Sequence, residues 1–140
     1  MAMQIDERCT EVFPSIVKGL NHGIFSVNGE TLETFEICPK NEFPTWQSIV
    51  DRVPQHLCCH IFVHFNYVSE SDGVERSKFV HILWAPSGAP RKDKMTLTFF
   101  AEKTLMALGA LGACRLEAGS LASLDENVIK EKILRRVTVK

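Results

Sequence analysis

The segment from Arg76 to Met95 reads RSKFVHILWAPSGAPRKDKM, and its composition changes twice along its length. Residues 78–84 are almost continuously apolar, which is typical of a strand that is covered on both faces of a sheet. Residues 85–89 contain a proline and a glycine and therefore predict a loop. Pro90 suits the first position of a helix. This segment thus predicts a buried strand, a loop and the start of a helix.

Two elements are predicted upstream, near the start of the chain. Residues 6–18 place apolar side chains at helical spacing, and the first of these residues, an aspartate, is a suitable N-cap. Pro14 is expected to kink or shorten this helix. Within residues 23–38, the dipeptide Asn28-Gly29 separates two short apolar runs and predicts a β-hairpin.

The remaining elements surround the central segment. Residues 46–53 predict a short amphipathic helix that ends before Pro54. Residues 56–68 predict a strand that pairs with residues 78–84 across a polar turn. The helix that begins at Pro90 is expected to run through Leu108.

After that helix, residues 113–118 predict a further strand. Ser123 and Glu126 have the spacing of a capping box and predict the start of the last helix. The order of elements favours an α/β (α+β-like) fold with a central mixed sheet of five to six strands, flanked by helices on both faces.

Composition limits the class of protein. The 140 residues predict one domain over residues 1–140, and a formal net charge of −1 argues against a charge-driven nucleic-acid partner. Five cysteines, an odd number without a Cys-x-x-Cys pair, indicate a reducing compartment, cytoplasmic or also nuclear. No apolar run approaches the roughly 20 residues of a membrane span. We expect a monomer without a cofactor, a metal or stable membrane insertion.

The helix from Pro90 has two faces of different character. A projection at about 100° per residue places one apolar set toward the core, namely Leu97, Ala101, Leu105 and Leu108. The opposite stripe mixes basic, apolar and hydroxyl side chains: Lys92, Met95, Thr96, Phe99, Lys103 and Met106. Two interpretations are open. The helix could be buried over a wide arc, or the stripe could be an exposed strip that binds a protein partner.

Two smaller basic groups complete the pattern. Arg76 and Lys78 lie at the start of the central strand. The end of the last helix carries a second group, which either compensates the helix dipole or binds a partner, and its members are Lys130, Lys132, Arg135, Arg136 and Lys140.

Several of these residues together resemble the signature of the ADF/cofilin family. A strand begins with Arg76-Ser-Lys78, ends in Trp-Ala-Pro at residues 84–86, and is followed by Ala-Pro at 89–90 and Lys94-Met95 in the next helix. Phe65-Asn-Tyr67 resembles the family's Phe-Glu-Tyr on the preceding strand. The order of elements is similar over nearly the whole chain.

The resemblance implies a single ADF-homology domain that binds monomeric and filamentous actin, severs filaments and speeds subunit loss without catalysing a reaction. Phosphoinositides are implied as a second class of ligand, and association with the cytoskeleton is implied as well. Residues that would contact actin in both forms are Met1, Met3, Gln4, Lys92, Lys94, Met95 and, from the exposed-strip interpretation, Phe99. A second surface, specific for the filament, would contain Arg76, Lys78, Glu131, Lys132 and Arg135.

Alternative functions are also consistent with the sequence. A divergent member could sequester monomers, or act like coactosin or glia maturation factor, with weak or no severing. A different class is a zinc-binding protein, because His56, Cys58, His60 and His64 alternate along the predicted strand and would share one face. A cysteine nucleophile at Cys58 or Cys59 is a third hypothesis.

Overall fold

The computed structural model describes residues 4–17, 22–28, 31–37, 46–68, 72–108 and 114–138. Its strands are β1 (Gln4–Ile5), β2 (Gly23–Asn28), β3 (Thr31–Ile37), β4 (Cys59–Val68), β5 (Glu75–Trp84) and β6 (Cys114–Ala118). Its helices are α1 (Glu7–Val17), α2 (Trp46–Asp51), α3 (Arg91–Phe99), α4 (Ala101–Leu108) and α5 (Glu126–Thr138), with a 3₁₀ turn at Leu121–Leu124.

The strands form one mixed sheet in the order β1-β3-β2-β4-β5-β6. The four inner strands pair antiparallel, whereas β1 joins β3 and β6 joins β5 in parallel. The predicted hairpin at Asn28 and the predicted pairing of β4 with β5 are therefore confirmed. The sheet has the upper number of strands predicted from the sequence, because β1, only two residues long, adds to β3.

Alternating side chains of β4 and β5 divide the core into two layers. Ile61, Val63, Val80 and Ile82 pack in one layer, with buried residues of α2, the 3₁₀ turn and α5. Phe62 and other buried residues of the opposite face pack in the second layer, against α1, α3 and α4. Helices thus cover both faces, as the continuous apolar run of β5 predicts.

The motif after β5 docks onto the chain between α2 and β4. The indole Nε1 of the buried Trp84 donates a 2.6 Å hydrogen bond to the carbonyl oxygen of Pro54. A side chain at Gly88 would bring its Cβ to 2.9 Å from the carbonyl oxygen of Gln55. Tryptophan and glycine at these two positions therefore hold the loop that leads into α3.

Helix α1 tolerates its proline. Asp6 accepts a 3.0 Å hydrogen bond from the backbone N–H of Arg8, which confirms the N-cap. The helix continues through Pro14 to Val17, so the proline does not end it, and residue 18 lies outside the described residues. Phe13 explains why the helix persists: its ring packs edge-on against Phe62 with a centroid separation of 4.9 Å, so tertiary packing outweighs the local cost of the proline.

The predicted single helix from Pro90 to Leu108 is two helices, and Pro90 is the N-cap of α3 rather than its first residue. The helix is interrupted at Phe100, whose φ and ψ are −99° and 9°. Thr96 and Thr98 donate their hydroxyls to the carbonyl oxygens four residues earlier, at 3.0 and 3.1 Å, and such bonds bend helices. The two helices stay nearly continuous, because the Phe100 N–H still donates to the Thr96 carbonyl.

The predicted capping box of Ser123 and Glu126 is wrong. Ser123 instead forms a reciprocal box with Ser120 at the start of the 3₁₀ turn. Asp125 precedes α5 and accepts a 3.0 Å hydrogen bond from the N–H of Asn127. Because the Ser123 hydroxyl is already engaged, the aspartate caps the helix.

Replacing this cap should lower the stability of the fold. We expect Asp125→Ala to reduce the free energy of unfolding by about 1 kcal/mol, since the first turn of α5 loses its acceptor. Urea unfolding followed by circular dichroism measures this loss. Glu126→Ala is the matched control, and an equal loss in both variants would contradict the assignment of Asp125 as the cap.

Candidate functional site

The second face of α3 and α4 is exposed. Met95 is 64% exposed, Phe99 76% and Met106 61%, whereas Leu97 and Ala101 on the opposite face are buried. The interpretation of a helix buried over a wide arc is therefore wrong for this part of the chain. We call Met95, Phe99 and Met106 the apolar strip. Large exposed apolar side chains in a row are typical of a surface that binds another protein.

The apolar strip borders an open groove of about 800 Å³ lined by residues of α3 and by Phe100. The rings of Phe99 and Phe100 meet edge-on with centroids 4.8 Å apart, which fixes one wall. The Nζ of Lys103 lies 5.9 Å from the Phe100 ring centroid, so a cation stands beside the aromatic pair. Three basic side chains also line the groove, and we call them its basic rim: Arg91, Lys92 and Lys94.

The groove brings together four of the residues predicted from the sequence: Lys92, Lys94, Met95 and Phe99. Lys94 is half-buried and Lys92 is exposed. Arg91 and Phe100 also line the groove and were not predicted. Arg91 adjoins the predicted lysines, whereas a projection at about 100° per residue places Phe100 midway between the core face and the exposed stripe.

Arg76 and Lys78 lie near the start of β5, on the face that carries Val80 and Ile82 and is covered by α5. The Arg76 guanidinium donates a 2.7 Å hydrogen bond to the carboxylate of Asp72. Asp72 also accepts from the N–H of Val74, in a turn where Gly73 adopts a positive φ of 69°. The turn therefore orients the arginine, which remains about half exposed.

The predicted residues of α5 have partners of their own. Arg135 donates to Glu131 one turn earlier at 2.7 Å, and both side chains are exposed. The Nζ of Lys132 donates a 3.0 Å hydrogen bond to the carbonyl oxygen of Glu117 on the edge strand β6. Lys132 thus links α5 to the sheet, and Glu131 and Arg135 form an exposed charged pair beside it.

The two predicted surfaces occupy different layers of the fold. The apolar strip belongs to the layer of α1, α3 and α4, whereas Arg76, Lys78 and α5 lie on the other side of the sheet. Gln4 is exposed in β1, where it pairs with Thr31. Met1 and Met3 lie outside the described residues. A protein with two such surfaces can contact two neighbouring subunits of an assembly.

The hypothesis of a metal site is contradicted by the positions of its residues. β4 begins only at Cys59, so the exposed His56 and the buried Cys58 both precede the strand. His60 instead shares a hydrogen bond with His81, and His64 bonds the carbonyl oxygen of Ile16. Among the described residues, no group of three or more His, Cys, Asp or Glu could hold a metal ion.

The hypothesis of a cysteine nucleophile also loses its basis. Cys58 and Cys59 are fully buried. Burial raises the pKa of Cys58 to about 11 and that of Cys59 further. The thiols are therefore protonated at neutral pH, and a protonated thiol is a weak nucleophile.

Within the described ranges, no helix is both long and apolar enough to cross a bilayer.

A mixed sheet whose covering helices α3 and α4 expose an apolar strip is typical of a domain that binds another protein. The family model of the cofilin/tropomyosin-type actin-binding proteins matches residues 2–134. The chain belongs to this ADF/cofilin family. It is therefore an actin-binding domain, in a family of cytoskeletal proteins.

Individual relatives are distant but similar over their full length. Actophorin of Acanthamoeba castellanii is 24% identical over 135 residues, which cover 95% of this chain and 96% of actophorin. Cofilin of Schizosaccharomyces pombe is 22% identical over 136 residues, with 96% of each chain covered.

Solved structures share the fold at lower identity. Streptomyces griseoflavus cofilin has a TM-score of 0.73 at 18% identity, with 96% of this chain and 98% of that chain covered. Human coactosin-like protein has a TM-score of 0.75 at 17% identity, with 96% and 99% covered. The predicted fold class is thus confirmed.

Proposed function

We propose that this protein binds both monomeric and filamentous actin and promotes the severing and depolymerisation of filaments. The observation that carries the proposal is the apolar strip with its basic rim, on the helix that follows the Trp-Ala-Pro motif. Apolar side chains at its centre would be buried against actin, and Arg91, Lys92 and Lys94 would meet acidic groups at the edge.

The proposed mechanism is differential binding and involves no chemical reaction. A ligand shifts a conformational equilibrium only by as much as its affinities for the two states differ. A protein that touches two filament subunits, through the apolar strip and through the surface of Arg76 and α5, can favour one twist of the filament over another. The contacts between subunits then weaken, and the filament breaks or loses subunits.

The two-surface mechanism predicts a separation of activities. Arg76→Ala and Arg135→Ala should each weaken filament binding by about 2- to 5-fold, because an exposed charge at the edge of an interface contributes about 1 kcal/mol or less. Binding to monomers should stay unchanged, since the other layer of the fold carries that contact. Co-sedimentation measures the first affinity and a fluorescence titration of monomeric actin measures the second.

A control and a contradicting outcome accompany these variants. Arg115→Ala removes an exposed arginine of β6 that the two proposed surfaces do not include, and it should alter neither affinity. Equal losses of monomer and filament binding in the Arg76 and Arg135 variants would overturn the division into two surfaces.

A second candidate function is filament binding with weak severing, as in a coactosin-like protein. Met106 favours it, because the middle of the helix presents an exposed thioether where charged side chains would strengthen contacts with filaments. Microscopy of labelled filaments separates the candidates. The first requires breaks along the filament, and the second requires decoration without breaks.

Further parts of the proposal concern ligands and location. The basic rim of the groove would attract phosphoinositide headgroups, which would then compete with actin for the same lysines. We also propose that the chain acts as a monomer of one domain, in the cytoplasm with the actin cytoskeleton and also in the nucleus. Flotation with phosphoinositide vesicles, with and without actin, tests the competition.

A further inference from the structure

Three histidines are buried in this fold. His60 and His81 are fully buried, and His22 is 3% exposed. His60 on β4 and His81 on β5 lie on the sheet face that carries Phe62, beneath the layer of α1, α3 and α4. His22 immediately precedes β2. The actin-binding proposal gives these rings no role.

His60 and His81 form a hydrogen-bonded pair in which at least one of the two rings must be neutral. The Nδ1 of His60 lies 2.7 Å from the Nε2 of His81, so one ring donates and the other accepts. The rings stack at a centroid distance of 5.0 Å, and Phe62 stacks on His81 at 4.6 Å. Two fully protonated rings would place two donors against each other at this bond.

Among the described residues, the outer nitrogens of the pair have no partners that could share an added charge. Within that part of the chain, His60 Nε2 and His81 Nδ1 are buried without a hydrogen bond, and so are both ring nitrogens of His22. A buried cation without a hydrogen-bond acceptor or counter-ion is strongly disfavoured. Neutral rings are therefore the form that this core accommodates.

The charged groups nearby also disfavour protonation. Arg115 of β6 pairs with His81 across the ladder, and Arg52 acts on His22, so both rings face a positive charge. On α3, Asp93 raises and Lys94 lowers the pKa of Cys58, but neither of them shifts the pKa of His60 or His81. Thr104 is the buried polar residue on the described part of α4, and its side chain carries no charge.

The partly buried His64 of β4 is held by the carbonyl oxygen of Ile16 in α1. The titratable surroundings thus supply no negative charge to His60, His81 or His22 within the described residues. Burial lowers the pKa of His60 to about 3 and that of His22 to about 4, and it lowers the pKa of His81 well below its usual value.

We propose that the buried imidazoles of His22, His60 and His81 make this fold an acid-sensitive device, in which mild acidification destabilises the domain and so lowers the population that carries the folded surface of α3 and α4. The proposal goes beyond actin binding, because it concerns the stability of the domain itself. Only its consequence for actin rests on the proposed function.

The direction of the effect follows from proton linkage. An unfolded histidine has a pKa of about 6.5, whereas the folded-state pKa is about 4 for His22 and about 3 for His60, and burial lowers that of His81 well below its usual value. As the pH falls through about 6.5, the unfolded chain binds protons that the folded chain cannot bind. The stabilisation is complete above pH 6.5 and is lost progressively below it.

The size of the change in the unfolding equilibrium constant shows whether three histidines contribute or only one. Between pH 7.5 and 5.5, each histidine that stays neutral in the folded state raises the unfolding equilibrium constant about 10-fold. Three such groups raise it about 1,000-fold. Asp and Glu contribute little in this range, because their unfolded pKa values are about 4.

The test is urea unfolding of the wild-type chain at pH 7.5, 6.5 and 5.5, followed by circular dichroism. We expect the unfolding constant to rise by about 1,000-fold over this range. A rise of 100-fold or more supports the proposal, and a smaller rise overturns it. The wild-type measurement decides the question even if variants of the pair do not fold.

Two variants assign the effect to residues. His60→Leu with His81→Leu removes the pair and, where the variant folds, should reduce the rise about 100-fold. His56→Asn changes an exposed histidine and should leave the rise unchanged. A full rise in the double variant would contradict the role of the pair.

Filament pelleting at pH 7.5 and 5.5 completes the experiment. Loss of pelleting at pH 5.5 together with loss of the folded signal supports the link to the actin surface. If pelleting fails at both pH values while the unfolding constant still rises, the proposed function fails and the acid-sensitive device stands.

Discussion

Phe99→Asp is expected to weaken binding to actin filaments by about 100-fold or more. Phe99 is 76% exposed at the centre of the apolar strip, and a central aromatic side chain contributes about 2 kcal/mol or more to a protein interface. The aspartate would also lose its hydration on binding, and it would neutralise part of the basic rim. Co-sedimentation over a range of filament concentrations measures the affinity.

The exposure of Phe99 also predicts what should not change. A side chain with few contacts in the free protein can be replaced at a cost of less than about 0.5 kcal/mol in stability. Leu121→Asp is the matched control, since Leu121 is 44% exposed on the 3₁₀ turn in the other layer of the fold. Unchanged filament affinity in the Phe99 variant, or an equal loss in the Leu121 variant, would contradict the placement of the site.

Trp84→Ala is expected to lower the free energy of unfolding by about 3–5 kcal/mol, the range for large aromatic residues in a core. The indole is 1% exposed and belongs to the layer of α2 and α5. Its removal would leave a cavity, and the carbonyl oxygen of Pro54 would lose its 2.6 Å hydrogen bond. Because native domains are stable by only about 5–15 kcal/mol, much of the folded population could be lost.

Trp84→Phe separates the two contributions. This variant keeps an aromatic ring in the core but removes the N–H donor, so we expect a smaller loss of about 1–3 kcal/mol. Denaturant unfolding of both variants provides the comparison. Losses below about 1 kcal/mol for Trp84→Ala would show that the Trp-Ala-Pro motif does not hold the fold together.

The parts of the fold that were predictable from sequence depend on short-range periodicity. The nearly continuous apolar run of β5 predicts that both of its faces are covered, and the helical spacing of Met95 and Phe99 predicts an outward strip whether or not the helix is continuous. These patterns survive because each uses only neighbouring residues. The short strand β1 has no such pattern, since its two residues are defined by pairing with β3.

Features that depend on competition between neighbours were harder to predict. Ser123 has the right spacing for a cap of α5, but Ser120 takes its hydroxyl and Asp125 replaces it. Phe100 lines the groove, but a uniform 100° projection places it midway between the core face and the exposed stripe and so assigns it to neither. The pairing of His60 with His81 needs the register of β4 against β5, which a single sequence does not specify.

The roles of individual residues in binding actin remain predictions of different kinds. For Met95 and Phe99 the exposed geometry of α3 supports the prediction. For Lys132 the structure suggests an additional task, because its ammonium group already bonds the edge strand. Met1 and Met3 lie outside the described residues and keep only the support of the family resemblance.

Co-sedimentation of the wild-type protein with actin filaments at neutral pH tests the central claim most directly. The account predicts saturable pelleting with filaments that weakens as salt rises, because basic side chains border the apolar strip. Folded protein that stays in the supernatant at every filament concentration would contradict it.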